Sequence, residues 1–242
     1  RLIAHQAYND CYRSHYGEVK PYQLGVFEYM SAIKRLGIKI GVATNRSREF
    51  LGHELSIVDG GRWRNLFDTT VCADDVAEYK PSPDVIVQAA RCLGGAANKA
   101  VWYVGDSHTD MVTAYHAGVT RVFYNGAHWE ERWIDRIIAR KEHNPEAPEL
   151  VVDSFEQLID ALAGLQEYHQ ANNGSLFEMP VDSVRPKSYP PREPPPRRIE
   201  PDWHPAVVKI SKPKLILFDW HATLVDTLDA MYHAVDDMIP EF

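Results

Sequence analysis

The sequence predicts an α/β protein: a parallel, Rossmann-like sheet with helices on both faces. Three observations point there. Short apolar runs alternate with helical stretches along most of the chain. Two of the runs, AVWYVGD (100–106) and PKLILFD (213–219), are almost continuously apolar, as a strand buried on both faces must be. Polar residues of one chemical kind then recur just after the runs, where open parallel sheets hold their ligands.

Residues 24–36, LGVFEYMSAIKRL, set Leu24, Phe27, Met30, Ile33 and Leu36 at helical spacing, and Gly37 can end that helix. IKIGVAT (38–44) reads as a strand, and TTVCA (69–73) as another. DVIVQAARCLG (84–94) is helical and stops at Gly94. The strand 100–106 follows, then a helix MVTAYHAG (111–118) and a strand TRVFYN (120–125). SFEQLIDALAGL (154–165) opens on a Ser cap and carries a helical stripe. The strand PKLILFD leads into a helix-like LDAMYHAVDDM (228–238).

The 242 residues suffice for one well-packed domain. There are 26 Lys and Arg against 34 Asp and Glu, a net charge of −8, which disfavours a nucleic-acid binder. No run of about 18 apolar residues exists to cross a membrane, and RLIAHQAYND shows no basic-then-apolar leader pattern. Cys11, Cys72 and Cys92 form neither a disulfide framework nor a CxxC pair, so a reducing, cytoplasmic setting is expected. Ten of the sixteen prolines fall between Pro180 and Pro213. Proline removes backbone donors and fixes φ, so this stretch reads as an extended linker or arm. A passive tether is the first reading of it. A docking segment for a proline-recognising protein partner is the second.

Three strand ends and one lysine between them carry the chemistry. LILFD ends in Asp219 and continues WHATLVDT; IGVAT ends in Thr44, followed by Asn45, Arg46 and Ser47. AVWYVGD ends in Asp106, with Ser107 next and Asp110 four residues on; Lys80 lies in EYKPSPD. Each alone is ordinary, because a strand-end Asp or Thr is usually a cap or a turn residue. Together they suit a phosphate and Mg²⁺. Mg²⁺ takes hard oxygen ligands, a hydroxyl and free amides at a helix start suit phosphate oxygens, and a lysine neutralises charge.

These residues resemble the motifs of the haloacid dehalogenase superfamily of aspartate-nucleophile phosphohydrolases. FDWHATLVDT is similar to the first motif, hhhDxDxT, GVATNRS to the second, KPSPDVI to the third, and VWYVGDSHTDMVTAYHAGV to the fourth. The KPxPD and GDSxxD wording is closest to the phosphoglycolate phosphatase-like branch. The resemblance covers residues 1–165 and 213–242. It implies an Mg²⁺-dependent phosphomonoester hydrolase of a small phosphorylated metabolite, with Asp219 as nucleophile forming an aspartyl-phosphate. It implies that Thr44 and the Asn45 amide hold phosphoryl oxygens, and that Lys80 balances charge and orients Asp219. Asp219, Asp106 and the backbone carbonyl of His221 would ligate Mg²⁺. Asp110 would act through the metal's waters, with Ser107 assisting.

Two departures from the family pattern follow. The family's phosphatases carry Asp two residues after the nucleophile, as acid and base; here that residue is His221. With an ordinary pKa of about 6.5, His can do both jobs in principle. An impaired, phosphate- or protein-binding relative is therefore the alternative function, and a transition-metal site using His221 and His108 a lesser option. The order is also changed: second, third, fourth, first. Either the chain is a circular permutant cut inside the cap, or two segments are joined out of covalent order with cap residues missing. The absence of most of a cap favours the second account, which predicts an irregular join or disordered stretch within 166–190. The expected divisions are a cap remnant at 1–20, the core at 21–165, a Pro-rich arm at 166–212, and the first core strand with the start of the cap at 213–242.

Overall fold

A computed structural model describes residues 2–130, 132–134, 144–171, 177–179 and 208–238. Six strands form one parallel sheet: β2 (Lys39–Ala43), β3 (Thr69–Val71), β4 (Val101–Gly105), β5 (Thr120–Tyr124), β6 (Leu150–Val152) and β9 (Leu215–Phe218), in the spatial order β3-β2-β9-β4-β5-β6. The last of these in sequence lies at the centre of the sheet. Ile216 of β9 is flanked by Ile40 on one side and Trp102 on the other.

Central placement explains the apolar runs. Ile216 and Phe218 face one core with Trp102, Val104, Ile40 and Val42; Leu215 and Leu217 face the other with Val101 and Tyr103. Helices α2 (Val26–Arg35), α3 (Arg48–Ile57) and α6 (Phe155–Ala171) cover the first face. Helices α4 (Asp84–Cys92) and α5 (His108–His116) cover the second. The expected α/β class with helices on both faces is borne out.

Several boundaries differ for local reasons. Helix α2 starts at Val26 because Gly25 sits at φ +82°, which leaves Leu24 94% exposed, outside the apolar stripe. Helix α5 starts three residues before the expected 111, because Ser107 and Asp110 cap it reciprocally. Helix α6 runs on past 165 to Ala171, and β7 (Phe177–Met179) pairs antiparallel with β8 (Val208–Ile210). The stretch 166–212 is therefore not all linker. Of the segment 166–190 where an irregular join is expected, the part beyond 171 and 177–179 lies outside the described residues, as does the proline arm itself up to 207.

Helix α1 (Leu2–Ser14) packs beside α7 (Leu228–Met238), with Tyr12 and Phe50 against Ala230 and Ala234. Below them β1 (Lys20–Pro21) pairs antiparallel with β10 (Val225–Asp226), Lys20 opposite Asp226. No helix among the described residues is long and apolar enough to cross a membrane.

Since Ile216 is fully buried between two strands, Ile216→Ala should destabilise the protein by about 2–5 kcal/mol. Urea unfolding of both proteins checks this; a loss under about 1 kcal/mol would contradict a central position for β9.

Candidate active site

Three neighbouring strands of the sheet, β2, β9 and β4, each deliver one part of the site at their carboxyl ends. Asp219 follows β9, and its amide donates to the Val104 carbonyl at 2.8 Å, which fixes it beside β4. Thr44 follows β2, with its amide bound to the Val71 carbonyl at 3.0 Å; its Oγ1 accepts the Arg46 amide at 3.2 Å. Asp106 follows β4 and accepts a hydrogen bond from Thr223 Oγ1 at 3.1 Å. Gly105 precedes it for a steric reason: a Cβ there would lie 2.5 Å from Asp110 Cγ.

Lys80 is the hub. Its Nζ lies 2.8 Å from Asp110 Oδ1, 2.8 Å from Asp219 Oδ1 and 3.0 Å from the Tyr103 hydroxyl. Tyr103 donates in turn to the Ala43 carbonyl at 2.7 Å. The Asn45 side chain clamps the Lys80 backbone on both sides: Asn45 Nδ2 donates to the Lys80 carbonyl at 3.2 Å, and the Lys80 amide donates to Asn45 Oδ1 at 2.8 Å. Burial works to lower the lysine's pKa, but the Asp110 and Asp219 charges outweigh it and hold the ammonium well above its usual range. Asp110 is fully buried, and both its oxygens are engaged: Oδ1 by Lys80, Oδ2 by the Ser107 amide and hydroxyl at 3.1 and 2.5 Å.

The carboxylates of Asp106, Asp110 and Asp219 each offer an oxygen within 4.8 Å of the others. Asp219 Oδ1 is buried and accepts no hydrogen bond of acceptable angle; the Lys80 ammonium is near it but off line. Three carboxylates against one lysine leave a net negative site of oxygen donors. That composition fits Mg²⁺, whose ligands are carboxylates and water. Burial first, and then repulsion from Asp110 and Asp219, pushes Asp106 up to about 7. His221 and His108 are not in this cluster: His221 Nδ1 bonds the Thr227 hydroxyl, and His108 Nε2 lies 3.6 Å from Glu146. The transition-metal option is not assembled among the described residues.

His221 is half-buried. Burial, helped by the Arg46 and Lys80 charges and opposed by Glu54, pushes its pKa down to about 4. The turn after Asp219 carries Ala222 at φ +53° and is closed by the Leu224 and Val225 amides on the Trp220 carbonyl at 3.0 and 3.1 Å.

Asp219, Thr44, Asn45, Lys80, Asp106 and Asp110 lie at this edge, while the His221 side chain is taken up by the Thr227 hydroxyl. Sequence reasoning missed three supports. Tyr103 was read only as part of an apolar strand, although a buried tyrosine needs a partner for its hydroxyl. Thr223 lay inside a quoted motif without a role. The third is Glu54, fully buried on the inner face of α3, which accepts Trp220 Nε1 at 2.7 Å and the Tyr12 hydroxyl at 2.8 Å and pairs with Arg46. The Arg46 guanidinium stacks over Tyr12 at 4.1 Å and Phe50 at 4.6 Å.

The sequence profile of a family described as haloacid dehalogenase-like hydrolase matches residues 3–124, just over half the chain. That span includes Thr44, Lys80, Asp106 and Asp110 but not Asp219. A pyrophosphatase PpaX from Bacillus cereus is 32% identical over 114 residues, 46% of this chain and 50% of that protein. A pyrophosphatase PpaX from Bacillus mycoides is 29% identical over 159 residues, 63% of this chain and 67% of that one. The chain thus spans between half and two thirds of the length of these curated relatives. A solved haloacid dehalogenase-superfamily hydrolase from Ehrlichia chaffeensis superposes at a TM-score of 0.46 with 20% identity, covering 59% of this chain and 58% of its own.

The Asp106 shift has a definite sign. Its folded pKa lies above the ordinary value near 3.9, so the metal-free protein bears its full cost above about pH 7 and is relieved as pH falls toward 4. Asp106→Asn should raise the melting temperature of the metal-free protein at pH 8. Mg²⁺ must displace the Asp106 proton, so wild-type affinity should be about tenfold weaker at pH 6 than at pH 8. Calorimetric titration with MgCl₂ at the two pH values checks it; equal affinities would contradict the assignment.

Proposed function

Because the chain belongs to the haloacid dehalogenase-like hydrolases, we propose that it hydrolyses a small phosphomonoester through an aspartyl-phosphate on Asp219. The observation that carries this reading is the 2.8 Å contact of Lys80 Nζ with Asp219 Oδ1, at the strand edge where Thr44, Asp106 and Asp110 also converge.

The chain's own residues divide the work. Lys80, 2.8 Å from Asp219 Oδ1, partly screens that carboxylate from the incoming phosphate. Asp219 attacks phosphorus; its oxygen–phosphorus bond forms as the bond to the leaving oxygen breaks. The Thr44 hydroxyl and the Asn45 amide hold the equatorial oxygens, where positioning and charge supply most of the rate. A water then attacks the aspartyl-phosphate, releasing phosphate and restoring Asp219. Asp219, Asp106 and the His221 carbonyl would hold Mg²⁺, which when bound neutralises charge on the transferring group. Asp110, with both oxygens hydrogen-bonded, orients Lys80 and the loop and would act on the metal through its waters.

His221 decides how fast this runs. A pKa near 4 keeps the imidazole neutral at pH 7, so it can accept a proton from the attacking water but has none to give the leaving group. The impaired-relative reading rests on that same missing proton donor. It also sets a preference among substrates, since a leaving group that departs as a stable anion needs no proton.

With Mg²⁺ present, p-nitrophenyl phosphate should turn over and alkyl phosphates such as glycolyl or sugar phosphates should lag. His221→Asp should raise alkyl phosphate hydrolysis about 10–10³-fold, the range general acid–base help supplies. Asp219→Asn should abolish turnover in either background. Wild type and His221→Asp both inert toward the whole panel would leave the binding-module reading as the better one.

A further inference from the structure

A second cluster of ligand-type side chains lies away from the strand edge, where the chain's first and last helices meet. His15 follows α1, and the single turn Tyr16–Glu18 brings Glu18 back beneath it, with His15 Nδ1 2.8 Å from Glu18 Oε1. His233 comes from α7, and its Nδ1 lies 2.9 Å from Glu18 Oε2. The two imidazole rings are 5.3 Å apart. One ligand atom from each of His15, Glu18 and His233 falls within 4.8 Å of the others.

We propose that His15, Glu18 and His233 form a second divalent-metal site, suited to zinc, that ties helix α1 to helix α7. Two imidazoles and a carboxylate are the donor set that Zn²⁺ accepts, and Mg²⁺, which wants oxygen alone, does not. The argument does not end at proximity. A histidine bound to metal through one ring nitrogen nearly always gives its other N–H to a carboxylate, a backbone carbonyl or water, which fixes the ring and its tautomer. His15 has that arrangement: Nε2 lies 2.9 Å from Asp237 Oδ2, one turn beyond His233 on α7. Asp237 is thus a positioning residue for a ligand on the other helix. The side chains of Glu18 and His233 are 34% and 49% exposed, which leaves an entry path and room for water in the fourth position. Metal at this point takes the place of the protons now shared between Glu18 and the two Nδ1 atoms. The proposal does not depend on the phosphatase reading, because none of these residues touches the Asp219 site.

The test uses the full chain, stripped with EDTA and titrated with ZnCl₂ in about 10 mM MgCl₂ so that the three-aspartate site is held by the other metal. Calorimetry should show one zinc equivalent with a Kd of about 10 µM or tighter, and the melting temperature should rise with zinc. Glu18→Gln and His233→Ala, both at exposed positions, should weaken zinc binding at least about 10–100-fold, and Asp237→Asn about tenfold. Asp106→Asn should bind zinc as wild type does. Equal zinc affinity in wild type and His233→Ala, or no saturable binding below about 100 µM, would reduce the cluster to a set of hydrogen bonds and overturn the proposal.

Discussion

One buried ammonium holds the site together. Lys80 touches Asp110 and Asp219 at 2.8 Å each, with Asp106 close by and its own charge almost cut off from water. Burying a charge is costly unless it is paired and hydrogen-bonded. Here the pairing is incomplete: the cation contacts two of the three carboxylates, and the third, Asp106, is pushed up to about 7 by burial and by repulsion from the other two. The fold tolerates that repulsion because the surrounding sheet is packed on both faces. Such a cluster gains most from a divalent cation, which links the charge imbalance directly to what the site can bind.

A second ion pair, deeper in the molecule, governs the geometry of the first. Glu54 and Arg46 are both buried, and Glu54 also takes the indole N–H of Trp220. Trp220 sits between Asp219 and His221, and Arg46 lies two residues past Thr44. A carboxylate on α3 thus binds both the loop that carries Asp219 and the loop that carries Thr44. Its remaining partner, the Tyr12 hydroxyl, comes from α1. Removing one member of a buried network leaves the others unsatisfied, so these loops are stiffened by contacts that need not touch substrate. The Arg46 charge is also one reason His221 resists protonation.

Much of this was legible in the sequence, and the limits have physical causes. Strands buried on both faces announce themselves as apolar runs, so β2, β4, β5 and β9 were clear. β6 has three residues, Leu150 to Val152, too few to show a period. The β7–β8 ladder was hidden because its strands flank the proline-rich stretch and pair across a separation composition cannot reveal. Asp219, Thr44 and Asp106 were found because they follow strands, and Lys80 and Asp110 because they sit in motif-like stretches, KPSPD and GDSHTD, beside those ends. Tyr103 and Glu54 were not, because each looks like part of an apolar run or an amphipathic helix until its buried partner is known.

The unusual motif order shows what the sheet requires and what it does not. Parallel strands pair by register and by two-sided burial, not by their sequence in the chain. β9 comes last, yet its four residues meet Lys39–Val42 on one side and Val101–Val104 on the other. Each functional residue is fixed by its own strand end: Asp219 by the Val104 carbonyl, Thr44 by the Val71 carbonyl. The site therefore depends on which strands are neighbours and is indifferent to how they are joined. What the order does change is the region around α1 and α7. Those helices, the first and the last among the described residues, pack on each other through a cluster centred on Tyr12, Phe50, Ala230 and Ala234. On the solvent side of that seam lie His15, Glu18, His233 and Asp237. Polar cross-links between helices so distant in sequence thus add to that apolar cluster on its solvent side.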